Sequence, residues 1–140
     1  NKATEIFGKQ AVVVNIEAKK RGDYWECYSD CGRIQSGTNV FEWVKEVEQR
    51  GAGEILFQSV DNDGAQRGFD TNLAKKIVSL VNIPVVIASG AGSLEDIKEV
   101  IDKANPSGVA ISSILHYDKF TVSDIKDYLK KYKIKYGKNI

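Results

Sequence analysis

Apolar residues in this sequence fall into short β-branched runs that alternate with stretches of helical spacing. The runs AVVVNI, EILFQSV, PVVIA and GVAIS have the length of strands, and continuous apolar runs of this kind are typical of strands covered on both faces. Between and after them, apolar residues recur every three or four positions, which predicts amphipathic helices. The pattern predicts strands at Ala11–Ile16, Glu54–Val60, Pro84–Ala88 and Gly108–Ser112, and helices from Val40, from Leu73 to Val81, from Ser93 and from Val122 to Tyr132. Ser93 and Asp96 match a capping box at the start of the third of these helices, and SILH is expected to form a short helix after the last strand.

A longer connection separates the first predicted strand from the first helix. Its segments YWECYS and GRIQSG alternate in part between apolar and polar residues, and Asp30, Cys31 and Gly32 lie between them. Two short strands joined by polar and glycine residues are typical of a hairpin. We therefore expect a small hairpin within this connection.

Strands that alternate with helices are parallel, because each helix returns the chain to the end of the sheet where the previous strand began. A dinucleotide-binding doubly wound sheet needs G-x-G-x-x-G after its first strand, and EAKKRG stands there instead. A barrel often binds phosphate with the loops after its last two strands, and the small residues of SGAG and SSILH suit that role. Because a full barrel needs about 250 residues, residues 1–140 are predicted to form the C-terminal (βα)4 half of a (βα)8 TIM-barrel-type fold.

Composition narrows the classes of function. Hydrophobic residues make up 42% of the chain and charged residues 28%, which excludes a mainly disordered protein. The net charge of +1 gives no electrostatic reason to expect nucleic acid as a partner. The sequence has no apolar run of the roughly 20 residues that span a bilayer, and its first ten residues lack a signal-peptide core. We expect a cytoplasmic protein without a membrane partner.

The cysteines and the missing methionine add two expectations. Cys27 and Cys31 form a lone C-x-x-x-C, which predicts reduced thiols rather than a metal site or a disulfide scaffold, and no cofactor is expected. The chain has no Met and begins at Asn1, which is typical of a piece of a longer translation product. On this interpretation the missing half supplies the first four strands of the barrel.

Segments spread over all four units resemble one enzyme family. EWVKEVEQRGAGEIL followed by SVDNDG, together with VVVNIEAKK, ASGAG and SILHYDKF running into IKDYLKK, resemble the cyclase subunit of imidazole glycerol phosphate synthase. The resemblance covers essentially the whole chain but only the C-terminal half of that family's barrel. It implies a lyase and cyclase that takes ammonia from a partner glutaminase and uses it to cut and cyclise a phosphorylated ribonucleotide in histidine synthesis.

The resemblance gives Glu17 a catalytic role. The family has two acid-base aspartates, and the one at the end of the fifth barrel strand falls on Glu17, which keeps the carboxylate and adds a methylene. The other aspartate lies in the missing half. The residues alone also allow Glu17 to be a charge beside Lys19 and Lys20 at the end of a strand.

The resemblance also implies ligand contacts after the second predicted strand. Asp61, Asp63 and Gly64 of the DNDG loop fall where the family holds ligand-contacting residues. An aspartate can accept hydrogen bonds from sugar hydroxyls, and a glycine allows close approach of the backbone. Ser59 precedes the loop and is expected to face the barrel lumen.

One of the family's two phosphate sites matches the last two loops. Gly90 and Gly92, with Ser112 and Ser113, are expected to donate amide and hydroxyl hydrogen bonds to a dianion. The residues alone also allow these loops to be tight turns before helices.

Three positions depart from the family's pattern and keep other functions open. They are Glu17, Gln58 in place of a Thr, and Ala88, where ASGAG replaces SGGAG. A relative of this subunit passes ammonia to a separate enzyme that amidates a surface-polysaccharide sugar, so that the barrel is a conduit. A half barrel that binds phosphate esters without turnover is the other alternative. In each case the exposed sheet face of a half barrel predicts a partner, either an N-terminal half barrel or a second copy of the chain.

Overall fold

A computed structural model describes residues 2–137 of the chain. A helix and a 3-10 turn at Lys9–Ala11 precede the first strand, and a hairpin follows that strand. Helices and strands alternate after the hairpin. The strands are β1 (Val13–Arg21), β2 (Tyr24–Ser29), β3 (Ile34–Asn39), β4 (Glu54–Ser59), β5 (Val85–Ala88) and β6 (Gly108–Ala110). The helices are α1 (Lys2–Phe7), α2 (Val40–Gln49), α3 (Thr71–Leu80), α4 (Leu94–Ala104), α5 (Ser113–His116) and α6 (Val122–Lys131).

The strands form one mixed sheet in the order β3-β2-β1-β4-β5-β6. β1, β4, β5 and β6 run parallel, whereas β2 and β3 extend the sheet as an antiparallel hairpin. Four parallel strands joined by helical crossovers are the unit of a (βα) barrel. The structure therefore confirms the predicted partial (βα) barrel and its hairpin.

Helices α2, α3, α4 and α6 each begin where a side chain caps the first turn. Asn39 accepts a hydrogen bond from the Phe41 amide at 2.8 Å, and Asp70 accepts one from the Leu73 amide at 2.9 Å. The predicted capping box at the start of α4 is confirmed, because the side chains of Ser93 and Asp96 each accept from the other residue's backbone N–H. These caps fix the point at which each loop ends and its helix begins.

One side of the sheet packs against these helices and forms the core. Alternate residues of each parallel strand point to this side, and β4 contributes the fully buried Ile55 and Phe57. Val44 of α2, Ile77 of α3 and Val100 of α4 belong to the same buried cluster. The helix periodicity predicted from the sequence is the one that buries these side chains.

The opposite side of the sheet, which we call the lumen face, carries no helix in residues 2–137. Its side chains lie in rows, because the parallel strands pair in register. Val13, at the amino end of β1, is 52% exposed on this face. The row at the carboxyl ends of the strands, which we call the top row, consists of Glu17, Gln58, Ala88 and Ala110.

The hairpin changes the bounds predicted for the first strand. β1 continues five residues beyond Ile16, to Arg21, because its second half pairs with β2 from Glu17 onwards. Lys19 Nζ lies 5.0 Å from the centre of the Tyr28 ring, and Lys20 Nζ lies 5.4 Å from the centre of the Trp25 ring. The lysines expected to lie beyond the strand are therefore part of β1 and pack against side chains of β2. Glu17 is consequently inside β1, next to the last parallel pair, Ala18 with Ser59.

Both edges of the parallel sheet are open within residues 2–137. The amino half of β1, from Val13 to Ile16, pairs only with β4, and β6 pairs only with β5. Unpaired strand edges and exposed apolar residues such as Val13 are features that proteins normally cover. No helix in the described residues is long and apolar enough to cross a membrane.

The core predicts a clear difference between two isoleucine substitutions. Ile77→Ala removes a fully buried side chain and is expected to lower the free energy of unfolding by about 2–5 kcal/mol. Ile34→Ala changes an exposed residue of the hairpin and is expected to cost less than about 1 kcal/mol. Urea unfolding followed by circular dichroism measures both, and equal losses would contradict this assignment of the core.

Candidate active site

Three loops and Glu17 meet where the parallel strands end. The carboxyl ends of parallel strands lie at the same end of the sheet. The residues that follow β4, β5 and β6 are therefore brought together there. Two neighbouring cavities open at this end, and Gln58, Asp63 and Ser89 line both of them. The shared residues make the two cavities parts of one site.

The first cavity, which we call the Glu17 cavity, has a volume of about 270 Å³. Its wall consists of Glu17, Cys31, Gln58, Val60, Asp63 and Ser89. The half-buried Glu17 carboxylate accepts a hydrogen bond through Oε2 from the Gly32 amide at 2.8 Å. The tip of the hairpin therefore closes one side of this cavity and contacts the predicted catalytic carboxylate.

The second cavity, which we call the Ser112 cavity, has a volume of about 180 Å³. Most of its wall consists of residues 88–91, from the end of β5 onwards, and residues 110–113, from the end of β6 onwards. Ser113 begins the short helix α5, which confirms the predicted helical turn at SILH. The Ser112 side chain makes no capping hydrogen bond to α5, so its hydroxyl is not committed to the helix. Small side chains and hydroxyls thus surround this cavity.

The DNDG loop is held mainly by its own polar side chains. Asp61 Oδ2 accepts a hydrogen bond from the Lys20 backbone amide at 2.8 Å. Asn62 accepts from the Ser59 hydroxyl at 2.8 Å and donates to the carbonyl oxygen of Gly68 at 2.8 Å. Asp63 is the acidic residue of the loop that lines both cavities, and its Oδ1 accepts from the Ser89 hydroxyl at 3.2 Å. Asp61 therefore stabilises the loop, and Asp63 is in position to contact a ligand in either cavity.

The expectation that Ser59 faces the lumen is wrong. Side chains alternate along β4, and Ser59 follows the buried Ile55 and Phe57 on the helix-covered side, where it is 6% exposed. Gln58 takes the lumen position and lines both cavities. Gly64 lies in the turn beyond Asp63 and lines neither cavity.

The two glycines after β5 have different surroundings. Gly90 lines the Ser112 cavity, whereas the Gly92 amide donates to Asp96 Oδ2 at 2.9 Å and is not directed to that cavity. This corrects the expectation that the Gly92 amide is available to an anion: the α4 capping carboxylate already occupies it. A Cβ at Gly90 would lie 2.3 Å from the Gly68 carbonyl oxygen, and one at Gly92 would lie 2.1 Å from that of Gln66. Both glycines are therefore also required for close packing of the loops.

Three residues that shape the site were not selected from the sequence, namely Cys31, Asn62 and Ser89. A fourth, Gln58, was named only as a departure from the family's pattern. Counting by twos from Ile55 and Phe57 would have placed Gln58 on the lumen face. The positions of Cys31 and Ser89 depend on loop geometry, for which the sequence carries no periodic signal.

The two cysteines have different surroundings. Within residues 2–137 no three side chains of His, Cys, Asp or Glu cluster as metal ligands. Cys27 is buried in β2, and Cys31 is exposed at the tip of the hairpin. Burial raises the pKa of the Cys27 thiol to about 11, and the neighbouring Glu26 carboxylate adds to this effect.

The chain matches a known family and several curated proteins. Residues 1–121 match the family described as "Histidine biosynthesis protein". The protein named "Imidazole glycerol phosphate synthase subunit HisF" from Dehalococcoides mccartyi strain BAV1 is 41% identical over 130 residues, which cover 93% of this chain and 51% of the relative. Proteins of the same name are 47% identical over 127 residues in Thermococcus onnurineus (91% and 50% covered) and 41% identical over 137 residues in Prochlorococcus marinus strain MIT 9312 (96% and 54% covered). The chain spans about half the length of the curated relatives it matches.

The two thiols are expected to differ in reactivity. At about pH 8 the buried Cys27 stays protonated, because its pKa of about 11 lies well above that pH, whereas Cys31 is open to reagent. Iodoacetamide should add one label to the folded chain, at Cys31, and two labels to the chain unfolded in guanidinium chloride. Peptide mass mapping locates the label, and rapid labelling of Cys27 in the folded chain would contradict the structure.

Proposed function

The chain belongs to the histidine biosynthesis protein family, and we propose that it forms the C-terminal half of the ammonia-using lyase and cyclase subunit of imidazole glycerol phosphate synthase. The observation that carries this proposal is the convergence of Glu17, Asp63 and the two loops after β5 and β6 at the carboxyl ends of the parallel strands. We call these two loops the serine loops, because they contain Ser89 and Ser112 with Ser113. A carboxylate at one end and hydroxyl donors at the other suit a phosphorylated substrate that undergoes proton transfer. The substrate on this proposal is a phosphorylated ribonucleotide.

Glu17 acts as the general acid or base. Its side chain is half-buried at the carboxyl end of the parallel pairing, and one of its oxygens is held by the hairpin. A positioned carboxylate at hydrogen-bonding distance from a substrate can accept or return a proton, and such catalysis contributes about 10²–10⁴-fold to a rate. Asp63 lies on the same cavity wall and is suited to accept hydrogen bonds from sugar hydroxyls.

The Ser112 cavity binds one phosphate of the substrate. Its wall includes the hydroxyls of Ser89, Ser112 and Ser113 and the backbone of Gly90 and Ala91. Hydroxyl and amide donors that surround a small cavity can replace the hydration of a phosphate dianion. Because Gly92 donates its amide to Asp96, the phosphate contacts on the β5 side come from residues before it.

A second (βα)4 half covers the lumen face. The open edges of β1 and β6 and the exposed Val13 leave this half barrel with surface that a closed barrel would bury. A second half would also supply the other acid-base carboxylate that the reaction needs. We propose an N-terminal half barrel for this place, with a second copy of the chain as the other candidate, and a glutaminase as the source of ammonia.

The top row favours one alternative function. Glu17 pairs in register with Gln58, and Gln58 pairs with Ala88, so the three departures from the family's pattern are direct neighbours. Three clustered changes alter one surface of the site, whereas scattered changes would not. This placement favours a related barrel that passes ammonia to a separate enzyme for amidation of a surface-polysaccharide sugar, with little turnover of its own.

Ammonia-dependent turnover separates the two functions. The complete barrel, supplied with ammonium salt and the bisphosphorylated ribonucleotide, is expected to form imidazole glycerol phosphate, and Glu17→Gln should lower kcat by about 10²–10⁴-fold. Glu99→Gln, on the outer surface of α4, is the matched control and should leave kcat unchanged within about twofold. If the unchanged barrel binds the ribonucleotide without turnover, the conduit function is supported instead. If Glu17→Gln and the control have equal kcat values, Glu17 is not a catalytic residue.

The exposed lumen face predicts association of the 140-residue chain when it is prepared alone. Sedimentation velocity should detect self-association that Val13→Lys weakens, because a charge placed on the lumen face resists burial. Ile34→Lys is the matched control, since Ile34 is similarly exposed but lies on the hairpin. A chain that stays monomeric at high concentration, or equal effects of the two lysines, would argue against a covered lumen face.

A further inference from the structure

The tip of the β2–β3 hairpin folds back onto the carboxylate that the proposed function uses. The Gly32 amide donates to Glu17 Oε2 at 2.8 Å across fifteen residues of sequence. Within residues 2–137 this is the hydrogen bond that the carboxylate makes, so Oε1 is left for another partner. A backbone N–H that donates to a carboxylate forms a charge-assisted hydrogen bond, which is among the stronger kinds in proteins.

The backbone of the tip is built to present this amide. Asp30, Cys31 and Gly32 are three consecutive residues with positive φ, of 52°, 55° and 75°. Such a run turns the chain sharply, and the residues before Gly32 accept the strain that left-handed backbone imposes on side chains. The Arg33 amide closes the turn by donating to the Ser29 carbonyl oxygen at 3.1 Å.

Gly32 also fits a space that no side chain can enter. A Cβ at this position would lie 2.4 Å from Val60 Cγ1. The backbone of Val60 is held in place, because its amide donates to the Ala18 carbonyl oxygen at 2.9 Å, so relief of this contact would require its side chain or the hairpin tip to move. The tip is therefore confined between Val60 and Glu17, and a methyl group at residue 32 would push its amide away from the carboxylate.

We propose that Gly32 is the positioning residue for Glu17, and that the hairpin tip compensates for the extra methylene of the glutamate. A glutamate has one more rotatable bond than an aspartate, so its carboxylate needs a further restraint to stay at one point in the cavity. The amide supplies that restraint by fixing Oε2, and Oε1 becomes the oxygen that exchanges the proton. This inference rests on the proposed function of Glu17 and adds the reason that a longer carboxylate works there.

A matched pair of glycine substitutions tests the positioning role. Gly32→Ala should lower kcat of ammonia-dependent turnover by about 10–100-fold and leave KM for the phosphorylated ribonucleotide within about twofold, since a shift of about 1 Å costs a catalytic group roughly this much. Gly22→Ala is the control: Gly22 also has a positive φ, of 57°, in the turn at the other end of β2, but its Cβ would meet nothing within 4 Å. Equal losses of kcat in the two variants would overturn the proposal.

A double substitution separates positioning from general damage to the hairpin. In Glu17→Asp the shorter side chain draws the carboxylate away from the Gly32 amide, so kcat should fall. Adding Gly32→Ala to Glu17→Asp should then lower kcat by no more than about twofold further, because the contact is already lost. Losses that multiply would mean that residue 32 acts on turnover by another route.

A spectroscopic measurement tests the contact without any activity. The Gly32 amide proton of the unchanged protein should resonate downfield, and Glu17→Gln should move it upfield because the acceptor loses its charge, while the Gly22 amide stays in place. An unchanged Gly32 resonance would overturn the proposal even if turnover is found. If the unchanged barrel has no turnover but the resonance moves, the contact holds, the proposed cyclase activity fails, and the positioning role fails with it.

Discussion

Parallel pairing of β1, β4, β5 and β6 aligns the carboxyl ends of all four strands. It places Glu17, the DNDG loop and the two serine loops at one edge, although these segments are separated by tens of residues in sequence. Because these strands also lie side by side in chain order and their crossovers are right-handed, the helices all pack on one side of the sheet. The pairing and the strand order together therefore produce both the site and the uncovered lumen face.

The β2–β3 hairpin and the end of β1 that pairs with it contact two acidic residues of the site. β2 lengthens β1 beyond the parallel pairing, and the turn after β2 brings Gly32 to Glu17. The Lys20 amide of the lengthened strand also holds Asp61, so one segment fixes two parts of the site. The segment from the end of β1 through the hairpin thus contacts the Glu17 carboxylate, holds Asp61 of the DNDG loop and forms part of the wall of the Glu17 cavity.

The sequence predicted the parts of the fold that depend on local burial and capping. Four apolar runs became the four parallel strands, and Ser93 with Asp96 formed the expected capping box. The end of β1 was not predicted, because its last residues are polar and are held by pairing with β2 rather than by burial.

Within the site, the structure differs from the sequence predictions for two reasons. The alternation of side chains along β4 was not applied, and long-range hydrogen bonds cannot be read from the sequence. Ser59 was assigned to the lumen on resemblance alone, although the alternation from Ile55 and Phe57 favours Gln58. The capping box at Asp96 was predicted, but its further bond to the Gly92 amide follows from the shape of the loop. Contacts such as Gly32 with Glu17 depend on the tertiary path of the hairpin and have no signature in the sequence.

We propose that the loops after β5 and β6 bind a phosphate while Glu17 faces the same ligand from the other cavity. A titration of the isotopically labelled protein with ribose 5-phosphate, followed by amide NMR, tests this placement, with inorganic phosphate as the comparison ligand. We expect saturable shifts at Ala91, Ser112 and Ser113 with both ligands, and at Asp63 and Gly32 with the sugar phosphate only. Shifts confined to the lysines of α6, such as Lys130, with none in the serine loops would show that the phosphate binds elsewhere.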